Sequence, residues 1–289
     1  MSDSELNTVP VGIVGGGPVG IMLALFLDWH GVRTVLFNAE TTTRWHPKGS
    51  TEGAHTMEHF RRLGIAGEIR KLGLPADHPT DVAYFTRFGA HEFARLRMPS
   101  ADEVRQQVAA SAKTDQIPEP IHRANQMHVE RFLFEYAKTR PNITMRFGWH
   151  VEQFDQDEEG VQFTALSERG EKQTWRVHYL AGCDGGRSGI RRALGIKFRG
   201  DAGLEQQYFG GRMFSTYVRV PALYRKFFRT RRAWQYWAVN PEIRSSLIAV
   251  DGKEEFLFRT RAGRPDQPPE DAIVADAMRR CVGADVETQ

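Results

Sequence analysis

Residues 9–37 constrain the fold of this chain more than any other stretch. Residues 9–14 form a short apolar run, read as a buried parallel strand. Residues 15–20 read as a turn. Residues 19–30 are mostly apolar and helix-forming, and Gly31 is placed to end that helix. Residues 32–37 are again β-branched and apolar, a second strand. Strand, glycine turn, helix and strand in that order make a βαβ unit. The stretch is too broken for a membrane span, because five glycines and a proline fall in the first half of residues 11–29.

The turn Gly15-Gly16-Gly17-Pro18-Val19-Gly20 fits the G-x-G-x-x-G fingerprint of a Rossmann-type dinucleotide site. Gly15 makes the tight turn, Gly17 lets the backbone approach a pyrophosphate, and Gly20 lets helix and strand pack closely. Amides of the first helical turn, that of Val19 included, face the phosphates and are helped by the helix dipole. Pro18 suits this turn because a missing N–H costs nothing there. The competing reading is a glycine turn with no ligand, and the flanking strand and helix argue against it. An acid is expected at the end of the second strand to accept hydrogen bonds from a ribose diol. Asn38 stands there, with Glu40 two residues on. Either Asn38 replaces the acid, which is the preferred reading, or a shifted strand end lets Glu40 act.

Downstream, residues 56–72 have helical periodicity. Residues 82–88 and 92–98 suggest a hairpin around Gly89-Ala90, and residues 101–120 a loop with some helix. Residues 127–139 form an amphipathic helix. Strands are expected at 143–147, 151–154, 161–165 and 175–181. A second sheet is expected from 209–220, 233–239, 245–250 and 255–260, then a Pro-rich loop at 262–269 and a helix at 271–281. With 289 residues, 40% of them hydrophobic and 26% charged, the chain has the composition of a soluble globular protein of one large or two intermingled domains. A net charge of +3, with basic residues scattered among acidic ones, argues against a nucleic-acid partner. The exception is the basic stretch 225–232, which contains Phe227 and Phe228. It reads as a solvated loop or helix face before it reads as a nucleic-acid patch. Cys183 and Cys281 form no zinc or disulfide pattern, which fits a reducing cytoplasm, and the N-terminus lacks the basic region of a signal peptide. The expected location is therefore cytoplasmic, with no metal and no membrane association.

A second motif decides the class. Residues 179–195 contain Cys183-Asp184-Gly185-Gly186-Arg187-Ser188 after an expected strand and before the helix-like Ile190-Arg191-Arg192. Gly182, Gly185 and Gly186 permit close backbone approach. Asp184 is an acceptor suited to sugar hydroxyls, and Ser188 can cap the next helix. The alternative is a structural β–α turn with Asp as its cap. Together with the upstream fingerprint, this segment resembles the Asp-Gly motif of the group A flavin monooxygenases, the aromatic hydroxylases typified by p-hydroxybenzoate hydroxylase. His46-Pro47-Lys48 followed by Thr56-Met57-Glu58 resembles the family's loop after its second strand, with Lys48 where Arg is usual. His122-Arg123-Ala124-Asn125-Gln126 resembles the segment whose Gln contacts the cofactor, which implies that role for Gln126 and a neighbouring one for Arg123. The other reading for Lys48 and Arg123 is a solvated charge.

The resemblance implies an α/β fold, a Rossmann-type FAD-binding βαβ domain interleaved with a β-sheet substrate domain. Residues 1–75 and 101–195 would form the FAD-binding part. Residues 76–100 and 196–289 would form a β-rich substrate domain, left incomplete. The implied site residues are Gly15, Gly17, Pro18, Val19, Gly20, Asn38, Lys48, Arg123, Gln126, Asp184 and Gly185. The implied chemistry uses NADH or NADPH to reduce FAD, and dioxygen to hydroxylate a phenolic substrate. Trp234 and Tyr236 share a strand face and are candidates for the substrate pocket, as are Arg212, Met213 and Tyr217 on an opposite strand; the other reading for each is a plain core residue. No nucleophile signature is visible, so no catalytic acid or base is assigned. The family's third motif, a Gly-Asp followed by a Pro-containing loop, has no good match. Gly200-Asp201-Ala202 has the letters in the wrong place. The chain thus reads as a truncated member expected to hold FAD weakly. A remnant without activity, or another flavin oxidoreductase of the same fold, are the rival readings.

Overall fold

A computed structural model describes residues 6–112, 117–200, 213–261 and 269–289. The chain opens with β1 (Asn7–Val14), α1 (Pro18–Trp29) and β2 (Thr34–Asn38). Next come α2 (Ala54–Arg62), α3 (Ala66–Ile69), β3 (Val82–Phe85), β4 (Glu92–Leu96) and α4 (Ala101–Ala110). They are followed by α5 (Gln126–Lys138), β5 (Ile143–Phe147), β6 (Trp149–Asp157), β7 (Gly160–Ser167), β8 (Lys172–Gly182) and α6 (Gly189–Ala193). The described remainder contains β9 (Phe214–Arg219), a π-helical turn (Leu223–Phe227), β10 (Gln235–Val239), β11 (Arg244–Ala249), β12 (Glu255–Thr260) and α7 (Asp271–Val282). The mixed α/β class expected from the sequence is the one found. Among the described residues no helix is long and apolar enough to cross a membrane.

The chain packs as two units, residues 1–45 with 127–203 and residues 46–126 with 204–289. This differs from the division read from sequence: residues 46–75 and 101–126 pack in the second unit, not with the glycine turn. The reason is local. The loop after β2 leaves the first sheet at Trp45 and pairs instead with residues 122–126, through Glu52 and His122 and through Gly49 and Gln126.

The first unit is built on a six-stranded sheet of order β5-β2-β1-β8-β7-β6. β5, β2, β1 and β8 run parallel; β7 and β6 continue as an antiparallel meander. β1 lies between β2 and β8, with β2 and β5 to one side and the β6–β7–β8 meander to the other, so the strand order changes direction at its edge. The carboxyl ends of strands at such a switch point frame a ligand crevice. Val35, Phe37, Phe163, Trp175 and Val177 are buried together, and the Phe37 ring meets Phe163 and Trp175 edge-on at 5.3 and 5.6 Å. That contact holds the meander over β2 and rests on apolar burial, the main stabilising term in such a core.

The turn from α5 into β5 is tied to α1 by one buried acid. Asp28 is 6% exposed, accepts from Arg140 Nε at 2.7 Å, and accepts from the Asn142 backbone and side-chain amides at 3.2 and 3.1 Å. Burial pushes its carboxyl up, and the Arg140 and Asn142 hydrogen bonds outweigh that and hold it below the usual 3.8. A depressed carboxyl contributes stability that is full above its unfolded value and is lost as pH falls through the lower folded value. Asp28→Asn is expected to cost about 2 kcal/mol near neutral pH. The gap between variant and wild type should close only in strong acid, below 3.8. Urea unfolding across pH checks this. A gap that stays constant into strong acid would contradict it.

The second unit holds a sheet of order β4-β3-β10-β11-β12-β9. Alternation along β10 sends Tyr236 and Ala238 into one core with Phe85, Leu247, Phe256, Phe258 and α7. Tyr236 is fully buried, stacks on Phe228 at 3.8 Å and accepts from the Ala233 N–H at 2.7 Å. Of the two readings open to it in the sequence, pocket or core, it is therefore a core residue. The expected strand from 209 starts at Phe214, and residues 209–212, including Arg212, lie outside the described residues, as do 201–202 and 262–268. The helix expected over 56–72 is broken into α2 and α3 at Gly64, whose φ of +75° suits glycine. The helix expected within the loop of residues 101–120 is α4. It starts on a capping box in which Ser100 Oγ accepts from the Glu103 N–H and Glu103 Oε2 accepts from the Ser100 N–H.

Candidate functional site

The first turn leaves β1 at Val14 and enters α1 at Pro18, and the glycines in it have different physical reasons. Gly15 has φ +113°, and a Cβ there would lie 2.3 Å from the Cys183 carbonyl oxygen. A Cβ on Gly20 would lie 1.9 Å from the Gly15 carbonyl oxygen, so only glycine lets α1 sit against the turn. Gly16 is pressed by Asn38 and Phe147. Gly17 is the exception. It is the N-cap of α1, its φ of −76° suits any residue, and a Cβ on it would meet nothing within 4 Å. Nothing in the protein requires glycine there. Pro18 opens the helix, no side chain caps it, and Val19 is exposed. The early amides of α1 are thus left facing outward, the arrangement that receives anions.

The second turn lies beside the first. β8 pairs with β1 in parallel register, Val14 with Gly182, and the Cys183 N–H donates to the Val14 carbonyl at 2.7 Å. Asp184 Oδ2 accepts from the Gly189 and Ile190 amides at 2.6 and 3.3 Å, and Ser188 Oγ accepts from Arg191 N–H at 2.9 Å, so both residues cap α6. Asp184 Oδ1 is buried yet accepts no hydrogen bond. Gly185, with φ +83°, and Gly186 face open space. Burial first, and the adjacent Asp184 carboxylate, push the Cys183 thiol up, which disfavours its thiolate form.

A groove of about 650 Å³ runs beside these turns. Val14, Gly15, Asn38, Glu40, Asp184 and Arg187 line one part, and Trp149 to Asp155 of β6 line the other. Asn38 is the last residue of β2 and uses both of its amide atoms: Oδ1 accepts from Gly16 N–H at 3.0 Å and Nδ2 donates to the Glu40 carbonyl at 3.0 Å. It pins the glycine turn. The exposed Glu40 side chain borders the same groove, and its carbonyl also accepts from Gly148 N–H at 3.0 Å. Trp149 and His150 went unread in the sequence. The signal available was Gly148, whose φ of +76° makes the corner between β5 and β6.

The remaining expected site residues, Lys48, Arg123 and Gln126, belong to the second unit and lie along one local pairing. Gln126 N–H donates to the Gly49 carbonyl at 2.8 Å, and Arg123 Nη1 donates to Thr51 Oγ1 at 2.5 Å. Lys48 is exposed in the same loop. Arg123 lies flat over the Trp234 ring at 3.6 Å, with its Nε buried and unpartnered. Burial without a nearby carboxylate lowers its guanidinium to about 10. A desolvated cation held on an indole face is poised for an anionic or carbonyl partner.

The sequence matches the FAD binding domain family over residues 8–289. The chain belongs to that family. Its relatives include the FAD-dependent monooxygenase apdD of Emericella nidulans, 32% identical over 279 residues, covering 92% of this chain and 42% of apdD. A 3-(3-hydroxy-phenyl)propionate/3-hydroxycinnamic acid hydroxylase of Paraburkholderia xenovorans is 30% identical over 68% of this chain and 29% of its own. Among solved structures, the flavin-dependent monooxygenase PieE in complex with FAD and substrate superposes with a TM-score of 0.81 at 27% identity. The match covers 98% of this chain and 49% of PieE. The rebeccamycin biosynthetic enzyme RebC with reduced flavin gives 0.77 at 30% identity, over 99% and 51%. The chain spans about half the length of these enzymes or less.

Removing the Asp184 carboxylate takes the acceptor from two helix amides and from the groove at once. Asp184→Ala is expected to cost about 1 kcal/mol of stability and to weaken FAD binding about tenfold or more. Thermal melts and a flavin titration on the same samples read both effects. Unchanged FAD affinity would show that Asp184 serves only as a cap.

Proposed function

We propose that the protein acts as an FAD-dependent hydroxylase of a phenolic substrate, with NADH or NADPH as the electron donor. The observation that carries the reading is the juxtaposition of two remote turns, one with a glycine open to solvent for no internal reason, the other with a buried carboxylate oxygen lacking a partner. These residues fit an adenine dinucleotide. Gly15, Gly17, Pro18, Val19 and Gly20 are proposed to receive the pyrophosphate at the start of α1. Asp184 and Gly185 are proposed to receive sugar or ribityl hydroxyls. Asn38 spends one acceptor site and one N–H in pinning the turn and keeps one of each, so it is proposed to meet the ribose diol, with the Glu40 carboxylate beside it as the alternative acceptor. Lys48, Arg123 and Gln126 are proposed as further cofactor contacts.

When bound, FAD supplies the redox chemistry, taking electrons from the nicotinamide and delivering them to dioxygen. The chain's part is to bind and orient. The relatives' names support an aromatic substrate, since one hydroxylates a phenylpropionate and another is a para-nitrophenol 4-monooxygenase. The second unit offers an aromatic ring of the right kind in Trp234, half-buried under Arg123. The test is oxidation of NADH and of NADPH by flavin-loaded protein, with and without a panel of phenols. The expected result is donor consumption stimulated by a phenol, together with a product carrying one added oxygen atom. FAD-loaded protein that no phenol stimulates would overturn the phenolic assignment.

A further inference from the structure

The basic stretch that the sequence singled out, residues 225–232, takes no part in the site above. Its two aromatics do not face a ligand. Phe228 is fully buried on Tyr236, and Phe227 packs against the same core. No ring is left to stack on an unpaired base, which removes the main apolar handle of single-strand binding. The arginines of the turn, however, line a concave pocket of about 470 Å³ in the second unit.

That pocket is walled by Arg95 and Arg97 at the end of the β3–β4 hairpin, and by Arg229, Arg231 and Arg232. Asp81 and Glu92 are its acids, and both are spent on Arg95. Glu92 meets the Arg95 guanidinium through two bonds of 2.6 and 2.9 Å, and Asp81 Oδ2 meets Nη1 at 2.8 Å. Arg95 in turn donates to the Arg232 and Arg231 carbonyls at 2.9 and 3.4 Å, which fastens the arginine turn to the hairpin. Arg231 donates to the neutral carbonyls of Ala90 and Phe227 at 2.8 and 3.0 Å and lies over Phe85. Its charge is oriented but not neutralised. Arg97, Arg229 and Arg232 are exposed and form no ion pair among the described residues. An Arg95-braced pocket therefore presents three exposed guanidinium groups without carboxylate partners, those of Arg97, Arg229 and Arg232, beside an Arg231 whose guanidinium is held by backbone carbonyls. Clustered arginine forks match tetrahedral oxyanions in geometry as well as in charge.

We infer that this pocket binds a phosphate group of a small molecule. The volume suits a phosphate or pyrophosphate ester, and the absence of available aromatics disfavours a nucleic-acid strand. The inference does not depend on the flavin reading, because none of the residues lining this pocket is among those proposed to hold FAD. Two sources share this chemistry: the 2′-phosphate of NADPH, and any other phosphate ester.

The experiment is calorimetric titration of the 289-residue chain with inorganic pyrophosphate at low salt, for wild type and for the double variant Arg97→Ala/Arg229→Ala. Both positions are exposed, so the variant is expected to melt with the wild type. Pyrophosphate affinity is expected to fall about tenfold for each arginine removed, and FAD affinity to stay as it was. Equal pyrophosphate binding by wild type and variant, or none by the wild type, would overturn the inference. Parallel titrations with NADPH and NADH separate the sources. A preference for NADPH that vanishes in the double variant assigns the 2′-phosphate. No preference, with pyrophosphate binding still dependent on the arginines, assigns another phosphate ester.

Discussion

Gly17→Asp should leave the protein as stable as the wild type and should abolish most of its FAD binding. The two halves of that expectation come from different physics. Gly17 is the N-cap of α1, with φ −76° and ψ −178°, and its Cβ position is empty out to 4 Å. Aspartate is a favoured N-cap with a charge suited to the helix dipole, so stability should hold or rise by a few tenths of a kcal/mol, roughly. The same carboxylate would stand where a pyrophosphate must approach the helix amides. Like-charge repulsion and lost backbone approach should cut FAD affinity by about a hundredfold or more, roughly 3 kcal/mol. Thermal melts and a titration following flavin fluorescence give both readouts. A variant that binds FAD as the wild type does would show that no phosphate passes Gly17.

Gly20→Ala should do the opposite and damage the fold itself. Its Cβ would sit 1.9 Å from the Gly15 carbonyl oxygen, a backbone atom that cannot rotate away, and 3.3 Å from the Cys183 side chain. Relief requires α1 to move off the end of β1, against Ile21, Ala24 and Leu25, which are all buried. Overpacking of this kind costs about 3 kcal/mol, and the melting temperature should drop by on the order of 10 °C. A melt indistinguishable from wild type would mean that helix and turn are not packed this closely. The contrast between two glycines of one motif is the useful part, because one is held open by the protein and the other is left open by it.

The sequence made these features legible because their causes are local. A glycine turn between an apolar strand and an apolar helix has few other uses, and a short Asp-Gly turn before a Ser-capped helix announces its own geometry. Ser188 caps α6 as the residue type suggested, and Pro18 opens α1. Features that depend on distant partners were not legible. Alternation in β10 showed that Tyr236 and Ala238 share a face, but only the packing of Phe228 and α7 shows that this face is core. Asn38 looked like a substitute acid. It closes β2, one residue beyond the expected strand end, and its tie to the Gly16 amide is a contact with a remote turn that the sequence does not show. Glu52 and His122 carry no visible pairing signal, yet their bridge draws residues 46–75 into the second unit. The helix expected within residues 101–120 is α4, and its start is fixed by the capping box of Ser100 and Glu103.

The basic stretch shows the same division. Composition made residues 225–232 look like a solvated face, and the exposed arginines agree with that. What composition could not supply is the fate of Phe228 or the bracing by Arg95, both fixed by residues remote in sequence.

The account stands most directly on an amide NMR titration of the chain with ADP. Resonances of Gly17, Val19 and Gly20 and of residues 184–189 should shift together, along one binding curve with a single dissociation constant. Shifts confined to one of the two turns, or two curves with different constants, would mean that the turns do not share a nucleotide.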